Sequence, residues 1–387
     1  MPETTKRICE GSQVKPPTTN YQLPTTKSVA LVTDWIYGGG SELVVEAFHK
    51  MFPEAPIYTS YCSDEWRKRL DNKVVTGYLQ KAPFRQLRKF LPLLRQWWFA
   101  RLDLSKYNLV ISITGNGEAK FVRAKKHISY CHTPVHYYWR HYEQYLKNPG
   151  VKPAWLARLG LRLLVRPLRK RDYQAAQKVD VFIANSSHIK NDIKLYYDRE
   201  STVVFPPVDS SRFHLPTTTY HLPKPRSGFI THGRVVPAKR IDILIKACNQ
   251  LRIPLTIIGK GPDLARLRTL SGPTINFGGF VTDEALASEL QKHSAFLFAS
   301  YEDFGIAPIE AMAAGLPVVA YRGGGALDYV VPGETGEFFD QQTVESLIER
   351  LRVFDPDIYN RKDLNKKSRE FTIENFNKSI TGLLHKV

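Results

Sequence analysis

The stretch from residue 296 to residue 320, FLFASYEDFGIAPIEAMAAGLPVVA, constrains the fold more than any other part of the chain. An apolar run leads into a polar loop, a helix that we predict to open at Pro308 and stop at Gly315, and a second apolar run. Proline near the first helical position and glycine after the last are usual helix boundaries. The order predicts a strand–loop–helix–strand unit of a parallel sheet, with the loop where such sheets bind ligands.

The polar loop carries two carboxylates on either side of a predicted anion site. Glu302 leaves the strand, and Glu310 follows eight residues later, in the predicted first helical turn. The backbone N–H groups of Gly305, Ile306 and Ala307 have no partner inside such a helix, so its start can bind phosphate. This arrangement fits a nucleotide sugar. The alternatives are a Glu310 that only complements the helix dipole and a solvated Glu302.

Length, charge and cysteine usage limit the class of protein. A chain of 387 residues with 43% hydrophobic residues is long enough for two globular domains. The formal net charge of +18 favours an anionic partner. The four cysteines are scattered without a CxxC pair, which is typical of isolated thiols in a reducing compartment. We recognise neither a membrane-spanning run nor a signal-peptide core, and we expect a cytoplasmic protein.

Changes in composition and periodicity divide the chain. Strand-like and helix-like segments alternate in two separate regions of the chain, which predicts two doubly wound α/β domains with parallel sheets. Between them lies a Pro- and Thr-rich stretch with little periodicity. We expect a mobile tail at 1–27, a first domain at 28–205, a linker at 206–226, a second domain at 227–360 and a helical tail at 361–387.

Two loops of the first domain are candidate ligand contacts. The segment SVALVTD is followed by Gly38, Gly39 and Gly40 and then by helical spacing, an order that allows a ligand to approach the backbone closely. A tight turn without a ligand is the alternative, because the full GxGxxG pattern is absent. His132 follows the predicted strand of HISYCHTPVHYYW, in an aromatic loop at the strand's carboxyl end.

A basic pair opens the second domain. In GFITHGRVVPAKRIDILIKA, a predicted strand ends near Gly233, and Arg234 and Lys239 flank the following turn. The planar fork of arginine and the point charge of lysine both suit a diphosphate. Two solvated surface cations would produce the same pattern.

Two segments, 81–101 and 151–171, are basic, lack acidic residues and carry Trp and Leu at helical spacing. Basic amphipathic helices of this kind are typical of contact with an anionic membrane. Internal helices with a solvated basic face are an alternative. We expect no nucleic acid partner, since no recognition motif is present.

The second-domain motifs together resemble those of the retaining glycosyltransferases of family 4, which adopt the GT-B fold of two Rossmann-like domains facing across a cleft. The resemblance covers most of Gly228 to Asp340, including GFITHGRVVPAKRIDILIKA, the 296–320 stretch and VVPGETGEFF. It implies that the C-terminal helix crosses back onto the first domain. SYCHTPVHYYW is similar to the branch containing bacterial O-antigen mannosyltransferases. Many relatives have Glu after the RGGG glycines, where this chain has Asp328, which leaves contact with the donor or a helix-capping role open.

The resemblance also implies roles for individual residues. Arg234 and Lys239 would neutralise the donor diphosphate, Glu310 would bind the ribose, and Glu302 would hold sugar hydroxyls. His132 would reach the sugar or the acceptor from the facing domain. The full set expected to bind the donor is Gly38, Gly39, Gly233, Arg234, Lys239, Glu302, Phe304, Gly305, Ile306, Ala307 and Glu310.

We therefore expect a retaining, metal-independent hexosyltransferase without a cofactor. Its donor would be GDP-mannose, with a UDP-hexose as the alternative, and its acceptor a saccharide or lipid-linked molecule. The reaction would serve the synthesis of cell-surface polysaccharide or glycolipid, at the inner face of the membrane, which segments 81–101 and 151–171 would contact. The competing hypotheses are a nucleotide-sugar epimerase of the same architecture and a non-catalytic scaffold that binds an anionic surface.

Overall fold

The computed structural model of the chain describes residues 29–87, 92–147, 149, 153–213 and 226–386. The predicted tail at 1–27 and the part of the predicted linker from 214 to 225 lie outside the described residues. Within the described ranges the chain forms two separate parallel β-sheets, one of seven strands and one of six.

The first sheet has the strand order β3-β2-β1-β4-β5-β6-β7. Its strands are β1 (Val29–Thr33), β2 (Ile57–Thr59), β3 (Val74–Thr76), β4 (Leu109–Thr114), β5 (His127–Cys131), β6 (Val181–Ala184) and β7 (Ser201–Val203). The central strands β1, β4, β5 and β6 are mostly buried on both faces, as in parallel sheets covered by helices, whereas the edge strands β3 and β7 are partly exposed. The helices of this domain are α1 (Ser41–Met51), α2 (Asp64–Arg69), α3 (Phe84–Leu87), α4 (Pro92–Ala100), α5 (Tyr142–Lys147), α6 (Ala154–Ala176) and α7 (Ser187–Tyr197).

The second sheet has the order β10-β9-β8-β11-β12-β13. Its strands are β8 (Phe229–His232), β9 (Leu255–Ile258), β10 (Ile275–Gly279), β11 (Ala295–Phe298), β12 (Val318–Tyr321) and β13 (Gly336–Phe339). The helices around it are α8 (Ile241–Leu251), α9 (Leu264–Thr269), α10 (Asp283–Leu290), α11 (Ile306–Ala313), α12 (Val344–Val353) and α13 (Arg361–Ser368). The prediction of two Rossmann-like α/β domains is confirmed.

Strand order reverses at one point in each sheet, between β1 and β4 and between β8 and β11. In open α/β sheets, ligands bind beyond the carboxyl ends of the strands at such switch points. The loops that follow β1, β8 and β11 contain the glycine run, the Arg234–Lys239 turn and the Glu302 loop. The fold thus brings three of the sequence motifs to the switch points.

The last helix, α14 (Ile373–Leu384), packs on the first domain, as expected from the resemblance. Phe376 and Ile380 enter the core around β1 and α1. The ring of Phe376 meets that of Phe48 edge-to-face, with a centroid distance of 5.4 Å. Burial of these apolar side chains ties the C-terminal tail to the opposite half of the molecule.

Two expectations about helices need correction. Helix α11 begins at Ile306, not at Pro308, so Glu310 lies in its second turn. Segment 81–101 does not present a fully exposed basic face: its described helical residues are those of α3 and α4, residues 88–91 lie outside the described residues, and part of α4 is buried. Arg95 of α4 is buried and forms an ion pair of 2.6 Å with Glu118. Trp98 and Phe99 are buried beside it, because α4 packs this face against the first domain's core.

Segment 151–171 behaves differently, since most of it belongs to the long helix α6. A narrow stripe including Val165, Leu168 and Asp172 is buried. Large apolar side chains remain exposed in its first half, among them Trp155 and Leu163 at 65% and 67%. No helix in the described part of the chain is long and apolar enough to cross a membrane.

Candidate active site

The loop after β11 joins a carboxylate, a cation and a helix start. Glu302 forms an ion pair with Lys239 Nζ, which arrives from the turn after β8. Gly305 has φ +90°, a conformation that L side chains rarely adopt, and it leads directly into α11. Among the described residues no side chain caps this helix, and the N–H groups of Ile306 and Ala307 donate to no acceptor. The helix start is therefore free to bind an anion.

The glycines of the RGGG sequence pack their backbone directly against the backbone of this loop. A Cβ atom on Gly324 would lie 2.1 Å from the carbonyl oxygen of Glu302, and one on Gly325 would lie 2.4 Å from Cα of Phe304. The N–H of Gly325 donates to the same Glu302 carbonyl at 2.8 Å. Only glycine permits so close an approach of two backbones, so these residues position the Glu302 loop. Phe304 itself is buried in the core of the second domain.

Arg234 and Lys239 lie together, as expected, in the turn after β8. Both line a small hollow that also contains Ser300, two residues after the end of β11. The Arg234 side chain is exposed and forms no ion pair with any described residue. The neighbouring Gly233 has φ +136° and open space around its Cα. The hollow thus presents one unpaired guanidinium and one ammonium shared with Glu302.

Glu310 contacts two side chains that the sequence did not reveal, the imidazole of His232 and the guanidinium of Arg212. His232 Nε2 lies 3.4 Å from one carboxylate oxygen, and a terminal nitrogen of Arg212 lies 3.5 Å from the other. Burial raises the pKa of Glu310 to about 7, although the Arg212 charge opposes the shift. Burial lowers the pKa of His232 to about 4, so this imidazole is neutral near pH 7. Arg212 comes from the segment between the domains, where no motif marked it.

His132 lies on the first domain at the end of β5. Its Nε2 is buried and has no hydrogen-bond partner among the described residues. Burial lowers its pKa to about 4, so the ring is neutral at physiological pH. The ring packs edge-to-face on Tyr130, at a centroid distance of 5.2 Å. A neutral, oriented imidazole with a free nitrogen can donate to or accept from a ligand hydroxyl.

The glycine loop after β1 contacts the second domain, but two of its N–H groups donate to the carboxylate of Glu42, in the first domain. Glu42 Oε1 accepts from the N–H groups of Tyr37 and Gly38, both at 3.2 Å. A Cβ on Gly40 would lie 2.9 Å from Cδ1 of Ile306, at the start of α11. Gly39 is exposed beside them. The close packing shows that the loop lies against the start of α11, at the predicted donor site.

The first domain has another loop, after β4, whose N–H groups donate to a carboxylate of the protein, that of Asp34. Its Oδ2 accepts from the N–H groups of Gly115, Asn116 and Gly117 at 2.9, 2.6 and 3.2 Å. Its Oδ1 accepts from Ala119 at 2.7 Å. The sequence did not predict this network, because Asp34 and its partners are more than 80 residues apart. The acidic end of SVALVTD was the available signal.

Polar contacts join the two domains around the Glu302 loop. Ser186 Oγ donates to the carbonyl oxygen of Asp303, and Arg140 donates to the hydroxyl of Tyr301. The N–H of Ser187, at the start of α7, donates to Asp328 Oδ2 at 2.9 Å. Asp328 thus contacts a helix start of the facing domain. The two halves of the predicted site therefore face each other across a narrow cleft.

Comparison with known proteins agrees with this geometry. Residues 220–371 match the model of the family described as glycosyl transferases group 1. The sulfoquinovosyl transferase SQD2 of Arabidopsis thaliana is 32% identical over 159 residues, which span 38% of this chain and 31% of that protein. A GDP-mannose-dependent alpha-mannosyltransferase of Mycolicibacterium smegmatis is 35% identical over 118 residues, which span 30% of this chain and 31% of that protein. The matches thus span about a third of these relatives.

A solved structure extends the comparison to both domains. HepE of Anabaena, determined in complex with UDP, superposes with a TM-score of 0.68 over 93% of this chain and 100% of that chain, at 17% identity. At this identity the superposition establishes the fold alone. The second domain therefore matches the glycosyl transferases group 1 family in sequence, and the chain has the two-domain GT-B fold.

Proposed function

We propose that this protein is a retaining glycosyltransferase that moves a hexose from a nucleotide sugar to a saccharide or lipid-linked acceptor. The observation that carries the proposal is the convergence of Lys239, Arg234 and Glu302 beside the uncapped start of α11. His132, on the facing domain, supplies a neutral imidazole with a free nitrogen. The match of residues 220–371 to a glycosyltransferase family supports the same class of reaction.

The donor diphosphate would lie between the two cations and the N–H groups of Ile306 and Ala307. Arg234 offers up to two parallel hydrogen bonds to phosphate oxygens, and Lys239 offers a point charge. As the sugar–phosphate bond breaks, negative charge grows on the leaving diphosphate, and donors already in place stabilise it. Lys239 would then be shared between the phosphate and Glu302, its ion-pair partner.

The two carboxylates would bind the ends of the donor. Glu310, in the second turn of α11, would accept from the ribose hydroxyls, with His232 and Arg212 fixing its orientation. Glu302 would accept from sugar hydroxyls and stabilise positive charge that develops at the anomeric carbon. His132 would orient the sugar or the acceptor from across the cleft. Retention would follow from attack on the face that the diphosphate leaves, with a donor phosphate oxygen as base.

We favour mannose as the transferred sugar, with a UDP-hexose as the alternative donor. The support is the 35% identity over 118 residues to a GDP-mannose-dependent alpha-mannosyltransferase. We also propose that no metal ion is required, because Arg234 and Lys239 can neutralise the diphosphate. Activity that survives EDTA supports this proposal, and loss that added Mg²⁺ or Mn²⁺ restores contradicts it.

We place the acceptor at an anionic membrane surface. The exposed apolar and basic side chains of α6 support contact through segment 151–171. Segment 81–101 contributes less than its sequence suggests, because Arg95, Trp98 and Phe99 are buried. The exposed parts of α4 are Trp97, at 43%, and Leu93, at 40%.

The test begins with thermal unfolding in GDP, UDP and their hexose conjugates, because a bound ligand raises apparent stability. The stabilising nucleotide sugar is then incubated with and without a lipid-linked or free saccharide extract, and the products are separated. The proposal predicts stabilisation and a product that requires the acceptor. Conversion of the donor alone to its epimer would identify an epimerase, and no stabilisation by any nucleotide would favour a scaffold.

A further inference from the structure

A basic hollow of about 520 Å³ lies on the first domain, away from the donor site. Its lining residues come from the end of α4, the β4–β5 connection, the first residue of β5, the last part of α6 and the turn just after it: Ala100, Lys120, Phe121, Val122, Arg123, Ala124, His127, Arg171, Gln174, Ala175 and Lys178. Four of the lining residues are Lys or Arg, and none of them is acidic. Positive charge concentrated on a concave surface attracts anions.

The hollow exists because the connection between β4 and β5 is too short to form a covering α-helix. Residues 115–126 contain only one turn of 3₁₀-helix, Glu118–Phe121. The longer β5–β6 connection carries α6, which therefore forms one wall of the gap.

Part of the positive charge in the hollow is not neutralised by the protein. Lys120 is buried and forms an ion pair with Asp172. Arg171 Nε donates to Gln96 Oε1 at 3.1 Å, a neutral partner. Neither Arg123 nor Lys178 forms a salt bridge with a described residue, and both are exposed. Three cations therefore remain available to an anionic group.

Helix α6 also carries an apolar strip on the side that faces the hollow. At about 100° per residue, Leu163 and Leu164 lie within about 100° of Arg171 and Gln174 around the helix, roughly 10 to 17 Å away along the axis. Leu163 is 67% exposed, and Leu156, two turns before it on this face, is 53% exposed. Apolar side chains beside a basic site are the pattern that an interfacial helix presents to an anionic bilayer.

We propose that the hollow binds the phosphate head group of an anionic membrane lipid while α6 lies in the bilayer surface with these leucines among the acyl chains. This inference deepens the proposed function by assigning the membrane contact to α6 and the hollow. A bilayer satisfies both features at once, whereas a soluble anion would leave the leucines in water. Each exposed cation near such a surface strengthens binding by roughly fivefold.

The test measures binding of the whole protein to large vesicles of phosphatidylcholine, with or without 30% phosphatidylglycerol, by co-sedimentation. We expect binding only to the anionic vesicles. The triple variant Arg123→Glu, Arg171→Glu, Lys178→Glu should bind roughly 100-fold more weakly, because three attractive charges are lost. The matched control is Lys246→Glu, Arg352→Glu, Lys366→Glu, which makes the same charge change at exposed positions of the second domain. It should lose much less affinity.

A second pair of variants tests the apolar strip. Leu163→Ser should weaken vesicle binding several-fold, whereas Leu195→Ser, at a position 70% exposed on α7, should not. The inference is overturned if the wild type ignores anionic vesicles, or if either test variant binds as well as its control. Stabilisation by glycerol 1-phosphate without vesicle binding would show a soluble anion site and would also overturn it.

These outcomes are independent of the proposed transferase activity. Stabilisation by a nucleotide sugar reports on the second domain and should be unchanged in the hollow variants. Loss of vesicle binding with intact nucleotide binding fits the inference. Vesicle binding without any nucleotide binding would refute the proposed function and leave the membrane site standing.

Discussion

The two domains use loop N–H groups in opposite ways. In the first domain the protein's own carboxylates bind them: Asp34 accepts from four and Glu42 from two. In the second domain the carboxylates of Glu302 and Glu310 lie beside cations, and the start of α11 has no cap. A glycine-rich loop after a strand is therefore not by itself an anion site. Such a loop can bind a ligand anion only if no nearby carboxylate already accepts from its N–H groups.

The largest effect should come from removing a cation of the second domain. Lys239→Ala should lower kcat/KM for transfer from the nucleotide sugar by roughly 100- to 1,000-fold, because the charge growing on the diphosphate loses a fixed donor. Lys246→Ala, on the exposed side of α8, is the control and should leave the rate unchanged. Steady-state kinetics at saturating acceptor would measure both. Equal activity of the two variants would contradict the assigned role.

Removing the carboxylate that fills the first-domain loop should instead affect stability. Asp34→Ala leaves four backbone N–H groups without their acceptor, and we expect a loss of roughly 3 kcal/mol in unfolding free energy. Urea denaturation would measure it, and the affinity for the nucleotide should change little. A variant of normal stability that no longer binds nucleotide would place the donor in the first domain and reverse the comparison.

The buried Glu310 should give the second domain a distinct pH dependence. Its folded pKa of about 7 lies above the ordinary value of 4.5, so it stabilises the fold in its protonated form. This contribution is complete below about pH 4.5 and is lost as the pH rises through 7. Relative to Glu310→Gln, the wild type should therefore lose up to about 3 kcal/mol of unfolding free energy between pH 4.5 and pH 8. Parallel pH curves for the two proteins would contradict the raised pKa.

The smallest effect concerns the glycine loop. Glu42→Ala frees the N–H groups of Tyr37 and Gly38 and should cost about 1 kcal/mol of unfolding free energy. If Gly38 and Gly39 contact the donor, as the resemblance implies, nucleotide-sugar affinity should stay the same or rise, because the carboxylate no longer competes. A large loss of affinity would show that Glu42 itself binds the donor. Titration calorimetry with the nucleotide sugar distinguishes these results.

Sequence patterns predicted the features that are local in the chain. The order of strand, polar loop and helix around Glu302 was correct, because proline and glycine mark helix boundaries within a few residues. Lys239 and Glu302 were predicted to lie at one ligand site, and they lie together because they follow the neighbouring strands β8 and β11; their ion pair itself was not predicted. Helix α11 begins two residues earlier than predicted, since Gly305 with its positive φ, and not Pro308, marks its start.

Features that depend on distant partners could not be predicted. Segments 81–101 and 151–171 have the same charge and apolar pattern, yet α4 buries Arg95 and α6 exposes its leucines. The difference lies in Glu118, which supplies a buried carboxylate for Arg95 from another loop. Arg212 reaches Glu310 from the connection between the domains, where the sequence is irregular and offers no signal.

The structure of the complex with GDP or UDP tests the central claim most directly. We predict that the diphosphate binds Arg234, Lys239 and the N–H groups at the start of α11, with the carboxylates of Asp34 and Glu42 still on their own loops. A diphosphate bound by the first-domain loops, with Lys239 still paired only with Glu302, would contradict the account.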